Sequence, residues 1–249
     1  MEDEPESASA SAGSPRFPDT RWSLVSDVRH GGEVRERALA DLCRVYWFPI
    51  YAFARGRGCD SHLAEDLTQE LFMKFLKHDS FAAADRSRGR MRTFLLTSMS
   101  RLMASDARRR TASKRAPELK ALSIERDLAE EMLSGRTSNL TPEEDFDRTW
   151  AEAILREVEK RLEAEHAARG KSEQFAVLKT YLLPISGNEG YPGVAERLDM
   201  SEGAVNVAIF RLRKRFQQLM RKEVEQTLSD VEDTDEELRH LYSALGRAG

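Results

Sequence analysis

Four groups of side chains in this sequence have types and spacings that could do chemistry. Cys43, Cys59 and His62 are potential metal donors, but three scattered candidates lack the paired spacing that a zinc site needs. Glu65 and Asp66 are adjacent carboxylates; neighbours on a helix point about 100° apart and do not form a catalytic pair. The five histidines are dispersed and no glycine loop is built to cradle phosphate, so the sequence offers no catalytic residues, no metal site and no cofactor. The third group is basic. From Arg86 to Arg115 the single acid is Asp106, set among Arg86, Arg88, Arg90, Arg92, Arg101, Arg108, Arg109, Arg110, Lys114 and Arg115. Such a patch can bind nucleic-acid phosphate, and guanidinium planes can stack on unpaired bases.

The fourth group lies between Tyr191 and Lys222. A short helix carrying Val194, Ala195 and Leu198 is expected to turn at Asp199 and Met200, where Ser201 caps a longer helix. In that helix Val205, Ile209, Leu212, Phe216 and Leu219 form one apolar stripe. Gly203, Asn206, Val207, Phe210, Arg211 and Lys214 take the opposite face, and Arg211 to Lys222 holds no acid. Two readings fit: a recognition helix that brings its first turns to base edges and its basic end to phosphates, or a core helix with a solvated basic face.

The elements that must position these groups read as helices throughout. Residues 1 to 16 are rich in Ser, Ala, Pro and acid and are expected to be disordered. Trp22, Leu24, Val25 and Val28 predict a short amphipathic helix ended by Gly31 and Gly32. A longer helix follows from Val34 to about Arg57, with a kink or restart expected at Pro49. In the next helix Leu63, Ala64, Leu67, Leu71 and Phe75 gather on one side and Asp66, Gln69, Glu70 and Met73 on the other. Met91, Leu95, Met99 and Leu102 then predict a helix that carries Arg101 and Arg108 on another face. Residues 113–140 lose periodicity and read as a flexible linker in which only IERDLAEEML could make an isolated helical turn or two. Thr141, Pro142 and Glu144 start a helix to about Ala168, with Phe146, Trp150, Ala153, Ile154, Val158 and Leu162 inward. It should join the helix-turn-helix in a second core. Leu238, Leu241, Tyr242 and Leu245 make a last apolar stripe inside an acidic tail, expected to be a frayed terminus.

The expected fold is therefore all-α, with two small helical domains joined by a flexible linker. Composition agrees: 249 residues, 33% charged and 40% hydrophobic, with a net charge of -4 that hides basic and acidic segments. Two cysteines make no disulfide framework and fit a reducing cytoplasm. An acidic start with no apolar run argues against a signal peptide, and no stretch is apolar enough to span a bilayer, so the expected location is cytoplasmic.

Three motifs in order resemble a known family. LAEDLTQELF at 63–72 is similar to DAEDLVQEVF of region 2.2 in sigma-70 family RNA polymerase sigma factors, and DARRR at 106–110 to the end of region 2.4. AERLDMSEGAVNVAIFRLRKR at 195–215 resembles region 4.2. The chain looks like the short extracytoplasmic-function (ECF) type, which keeps only regions 2 and 4. The resemblance covers most of residues 20 to 225 and implies region 2 (19–112), a linker (113–140) and region 4 (141–224); outside it, composition gives an acidic disordered start (1–18) and an acidic tail with a short helix (225–249). It implies a sigma factor, not an enzyme, that directs core polymerase to specific promoters and helps melt the minus-10 element. Asp66, Gln69, Glu70 and Met73 would meet the clamp helices of the polymerase beta-prime subunit. Arg88, Arg90, Arg92, Arg101, Arg108, Arg109 and Arg110 would hold the minus-10 strand. Ser201, Gly203, Asn206, Val207, Phe210, Arg211 and Lys214 would read the minus-35 element near the beta flap. An anti-sigma factor or a kinase is a further candidate partner, and no membrane is.

The departures from the family pattern are Leu63 for an acid, Asp199 for the turn glycine, Asn206 for a base and Phe210 for histidine. Thr68 could restore charge near Leu63 if phosphorylated. The tail could compete with DNA for Arg211 to Arg215, or its helix could dock on one domain. The rival readings are a helix-turn-helix regulator that never engages polymerase, a nucleic-acid enzyme, and an interaction module that mimics sigma.

Overall fold

The computed structural model describes residues 32–77, 90–110, 126–134, 136, 139–183, 192–228 and 233–246. The expected helix around Trp22 and the disordered start lie outside them. The described residues are all-α, with one isolated backbone bridge between Arg90 and Leu228.

Helix α1, Gly32–Gly56, is the axis of the fold. From Val45 to Ala54 every residue is buried, Tyr46, Trp47, Ile50, Tyr51 and Phe53 among them. A helix buried all round is one that other helices surround. Pro49 lies inside it without ending it, so the expected restart does not occur. Packing on every side of Pro49 offsets a cost of roughly 3 kcal/mol for an internal proline.

Helix α2, Ser61–Lys77, packs on α1 through Ala64, Leu67, Leu71 and Phe72. Helix α3, Met91–Arg110, packs on both through the expected stripe of Met91, Leu95, Met99 and Leu102. Within the segment read as a linker, Arg126–Ser134 forms helix α4 against α1 and α2. It is not an isolated turn. Ala129 is buried, and Glu130 accepts from Arg55 Nε at 2.8 Å and Nη2 at 3.0 Å. Arg55 thereby holds the Glu130 carboxyl below its ordinary range.

Helix α5, Pro142–Ala167, begins as the sequence implies. The Thr141 hydroxyl accepts from the Glu144 amide at 3.2 Å, and the Glu144 carboxylate accepts from the Thr141 amide at 3.0 Å. All six of its expected inward residues are buried. They do not close a separate second core, however: α5 packs on α1 and on the last two helices, and the Phe146 ring meets Phe53 edge-on at 6.5 Å. One apolar core therefore runs through both helical halves. Pattern alone could not show this, because a stripe names a buried face and not its partner.

Helix α6, Ser172–Leu178, leads through a 3-10 turn, Lys179–Tyr181, toward α7, Pro192–Arg197, and the long α8, Glu202–Glu225. Helix α9, Thr234–Gly246, packs on α5 and α8 with Leu241 and Ala244 buried. The C-terminal segment is thus a docked helix, not a frayed end.

Candidate nucleic-acid interface

The surface of α2 is built by helical spacing. With Ala64, Leu67 and Leu71 inward, Asp66 is exposed and Gln69, Glu70 and Met73 are half-buried beside it. Gln69 Nε2 donates to Glu65 at 3.2 Å, and Glu70 pairs with Lys74 at 2.8 Å one turn on. Asp66 is the acid this face presents most openly. Thr68 corrects an expectation: it is fully buried, and its hydroxyl donates to the Ala64 carbonyl at 2.7 Å. A kinase has no access to it in this fold. The i, i+4 relation of Thr68 to Ala64 and Phe72, both buried, is the sequence signal that would have found this.

The arginines divide. Arg101 is exposed on α3. Arg88, and the side chains of Arg108, Arg109 and Arg110, lie outside the described residues. Arg90 and Arg92 were expected to be open to nucleic acid, and both are instead engaged with acids. Arg90 reaches Glu236 at 2.6 Å and Glu237 at 3.2 Å. Arg92 reaches Glu237 at 2.8 Å and Asp147 at 3.3 Å. Glu236, Glu237 and Asp147 stand about 50 to 150 positions away in the chain, beyond the reach of any local pattern.

The face expected to read DNA belongs to α8. Ser201 caps it, its Oγ accepting from the Ala204 amide at 3.2 Å. The turn before it holds Asp199 at φ 49°, the left-handed region, where the resembling family has glycine. Val205, Ile209, Leu212, Phe216 and Leu219 are buried. Gly203, Asn206, Val207, Phe210, Arg211 and Lys214 are exposed, Phe210 at 67% and Val207 at 49%. Of the basic run, Arg213 donates to the Tyr181 carbonyl at 2.8 Å and Arg215 to Glu165 at 2.9 Å. Those two arginines fix α8 to its neighbours and leave Arg211 and Lys214 facing out. Among the described residues the tail acids Asp235, Glu236 and Glu237 pair with Arg221, Arg90 and Arg92, while Arg215 pairs with Glu165.

Other chemistry is muted. Cys43 and Cys59 are buried, and burial pushes the Cys43 thiol up to about 12. Among the described residues no group of histidines, cysteines and acids could hold a metal ion, and no helix is long and apolar enough to cross a membrane.

These features define an all-α protein that presents an acid-bearing helix, an arginine-bearing helix and an exposed helix that follows a turn. Residues 49–113 match the family model for Sigma-70 region 2, a span from Pro49 inside α1 through α2 and α3. The match makes about a quarter of the chain similar to region 2 of sigma-70 family sigma factors. No curated protein and no solved structure matches the chain.

Proposed function

We propose that the chain is a sigma factor of the ECF type, with region 2 in the α1 to α3 half and region 4 in the α5 to α8 half. The observation that carries this is the Sigma-70 region 2 match over residues 49–113, which contains the exposed Asp66 edge and the arginine-bearing α3. Asp66, with Gln69, Glu70 and Met73 around it, meets the clamp helices of core polymerase. Arg101 and Arg108 to Arg110 hold the melted minus-10 strand. Asn206, Val207 and Phe210 read the minus-35 element in the major groove, Ser201 and Gly203 let the start of α8 approach the backbone, and Arg211 and Lys214 face phosphates. The exposure of Val207 and Phe210 favours this use of α8 over a purely structural one, because large apolar side chains held in water gain nothing for folding. An anti-sigma factor is a further partner of the same surfaces.

The test is co-purification of the full chain with bacterial core polymerase. Wild type should associate, and Asp66→Arg or Glu70→Arg should abolish the association without unfolding the protein. A chain that binds duplex DNA tightly by itself and never binds core is a regulator of another kind.

A further inference from the structure

The C-terminal helix does more than fill a groove. Its acids Glu236 and Glu237 lie on Arg90 and Arg92, at the start of the helix that carries the arginine patch. Glu237 is only 1% exposed, an unusual burial for a carboxylate, and it contacts both guanidinium groups. Asp147 on α5 joins the cluster through Arg92 and through His240 of α9 at 2.8 Å. Arg221 on α8 pairs with Asp235. The chain between α8 and α9 also binds the same spot by its backbone: Met91 N donates to Thr227 O at 3.2 Å, and Leu228 bridges Arg90. Beneath the acids, Leu241 and Ala244 are buried against the rest of the fold. A single helix therefore ties α3, α5 and α8 together, and its carboxylates stand where phosphate oxygens would pair with the arginines.

The closed arrangement also limits reach. Asn206 lies about 29 Å along α8 from Glu225, the end of the helix, and Leu228 three residues on touches the start of α3. Sites 25 base pairs apart are separated by roughly 85 Å of B-form duplex. The closed arrangement keeps the start of α8 and the Arg90 end of α3 nearer together than two such sites.

We propose that α9 is an internal competitor of nucleic acid, a latch whose Glu236 and Glu237 occupy Arg90 and Arg92 until a strand of nucleic acid displaces them. The proposal rests on the reading of Arg90 and Arg92 as strand contacts. Displacement exchanges two carboxylates for two phosphates on the same guanidinium groups. By linkage, anything that frees α9 strengthens strand binding, and strand binding frees α9.

The experiment uses the full chain and a fluorescent oligothymidylate of about 20 nucleotides. Leu241→Asp should release α9, seen as faster amide exchange over residues 234–246. It adds a negative charge, so a gain in affinity cannot come from net charge. The released protein should bind on the order of tenfold more tightly at moderate salt, with the salt dependence of log K steeper by about 1.4 for two added phosphate contacts. Adding Arg90→Gln and Arg92→Gln should remove that gain. In wild type, saturating oligonucleotide should speed amide exchange in α9. If Leu241→Asp fails to fold, Glu236→Gln with Glu237→Gln must give the same gain, judged against Glu157→Gln with Glu163→Gln, which changes net charge equally. Binding that leaves α9 fully protected, or release of α9 with unchanged affinity, overturns the latch alone. No binding even by the released protein overturns the latch together with the strand-contact reading of Arg90 and Arg92.

Discussion

Ile209 and Phe210 are neighbours on α8 whose truncation should separate folding from promoter reading. Ile209 is 3% exposed within the core, and Phe210 is 67% exposed on the outer face. Truncating a buried isoleucine to alanine costs about 2 to 5 kcal/mol, the transfer loss plus the cavity left behind. Fully burying a phenylalanine stabilises by about 1.5 to 3 kcal/mol, so Phe210, with about a third of its surface covered, can contribute no more than roughly 1 kcal/mol to folding. In the major groove the same ring can pack on a thymine methyl, and one lost base contact costs about 1 to 3 kcal/mol. Urea unfolding should therefore show a large loss for Ile209→Ala and a loss below about 1 kcal/mol for Phe210→Ala. Promoter binding by reconstituted holoenzyme should fall roughly 5- to 150-fold for Phe210→Ala. A Phe210→Ala protein as unstable as Ile209→Ala, or one with unchanged promoter affinity, would refute the assignment of this face to DNA.

Three further expectations follow from local geometry. Thr68 is buried with its hydroxyl bonded within the helix, so Thr68→Val should fold and bind polymerase normally. Thr68→Glu should destabilise by several kcal/mol in thermal unfolding, because it buries a charge; a stable, more active Thr68→Glu would restore the phosphorylation idea. Asp199 sits at φ 49°, which glycine adopts without strain. Asp199→Gly should leave stability unchanged or raise it by up to about 1 kcal/mol in urea unfolding, whereas Asp199→Val should lower it. Glu130 is held below its usual range, first by its bonds to Arg55. A depressed carboxyl contributes stability that is present above its unfolded value, near 4.5, and lost as pH falls through the lower folded value. The stability difference between wild type and Glu130→Gln should thus be constant at neutral pH and shrink only in acid; a difference that grows in acid would contradict the Arg55 pairing.

Local signals carried much of this fold. The stripes of α3, α5 and α8 named their buried residues because a period of 3.6 fixes which side chains share a face. Thr141 and Ser201 marked helix starts because an oxygen at that position satisfies an amide that the helix cannot. The outward set on α8 was legible for the same periodic reason. What the pattern lacked was the identity of partners. Leu238, Leu241, Tyr242 and Leu245 announced an amphipathic helix, yet nothing local said that it docks on α5 and α8. Arg90 and Arg92 looked like open cations because Glu237 is far away in sequence, and only the fold brings them together. Pro49 read as a kink or a break because propensity ignores the packing that lets α1 continue past it.

A sigma factor of the proposed kind turns core polymerase into a promoter-specific enzyme. Run-off transcription by core reconstituted with the full chain on genomic fragments, followed by start-site mapping, tests it most directly. The chain should give a small set of discrete start sites that share one upstream pattern and disappear with Asp66→Arg. Core and chain that give no initiation above core alone on any fragment would contradict the proposal.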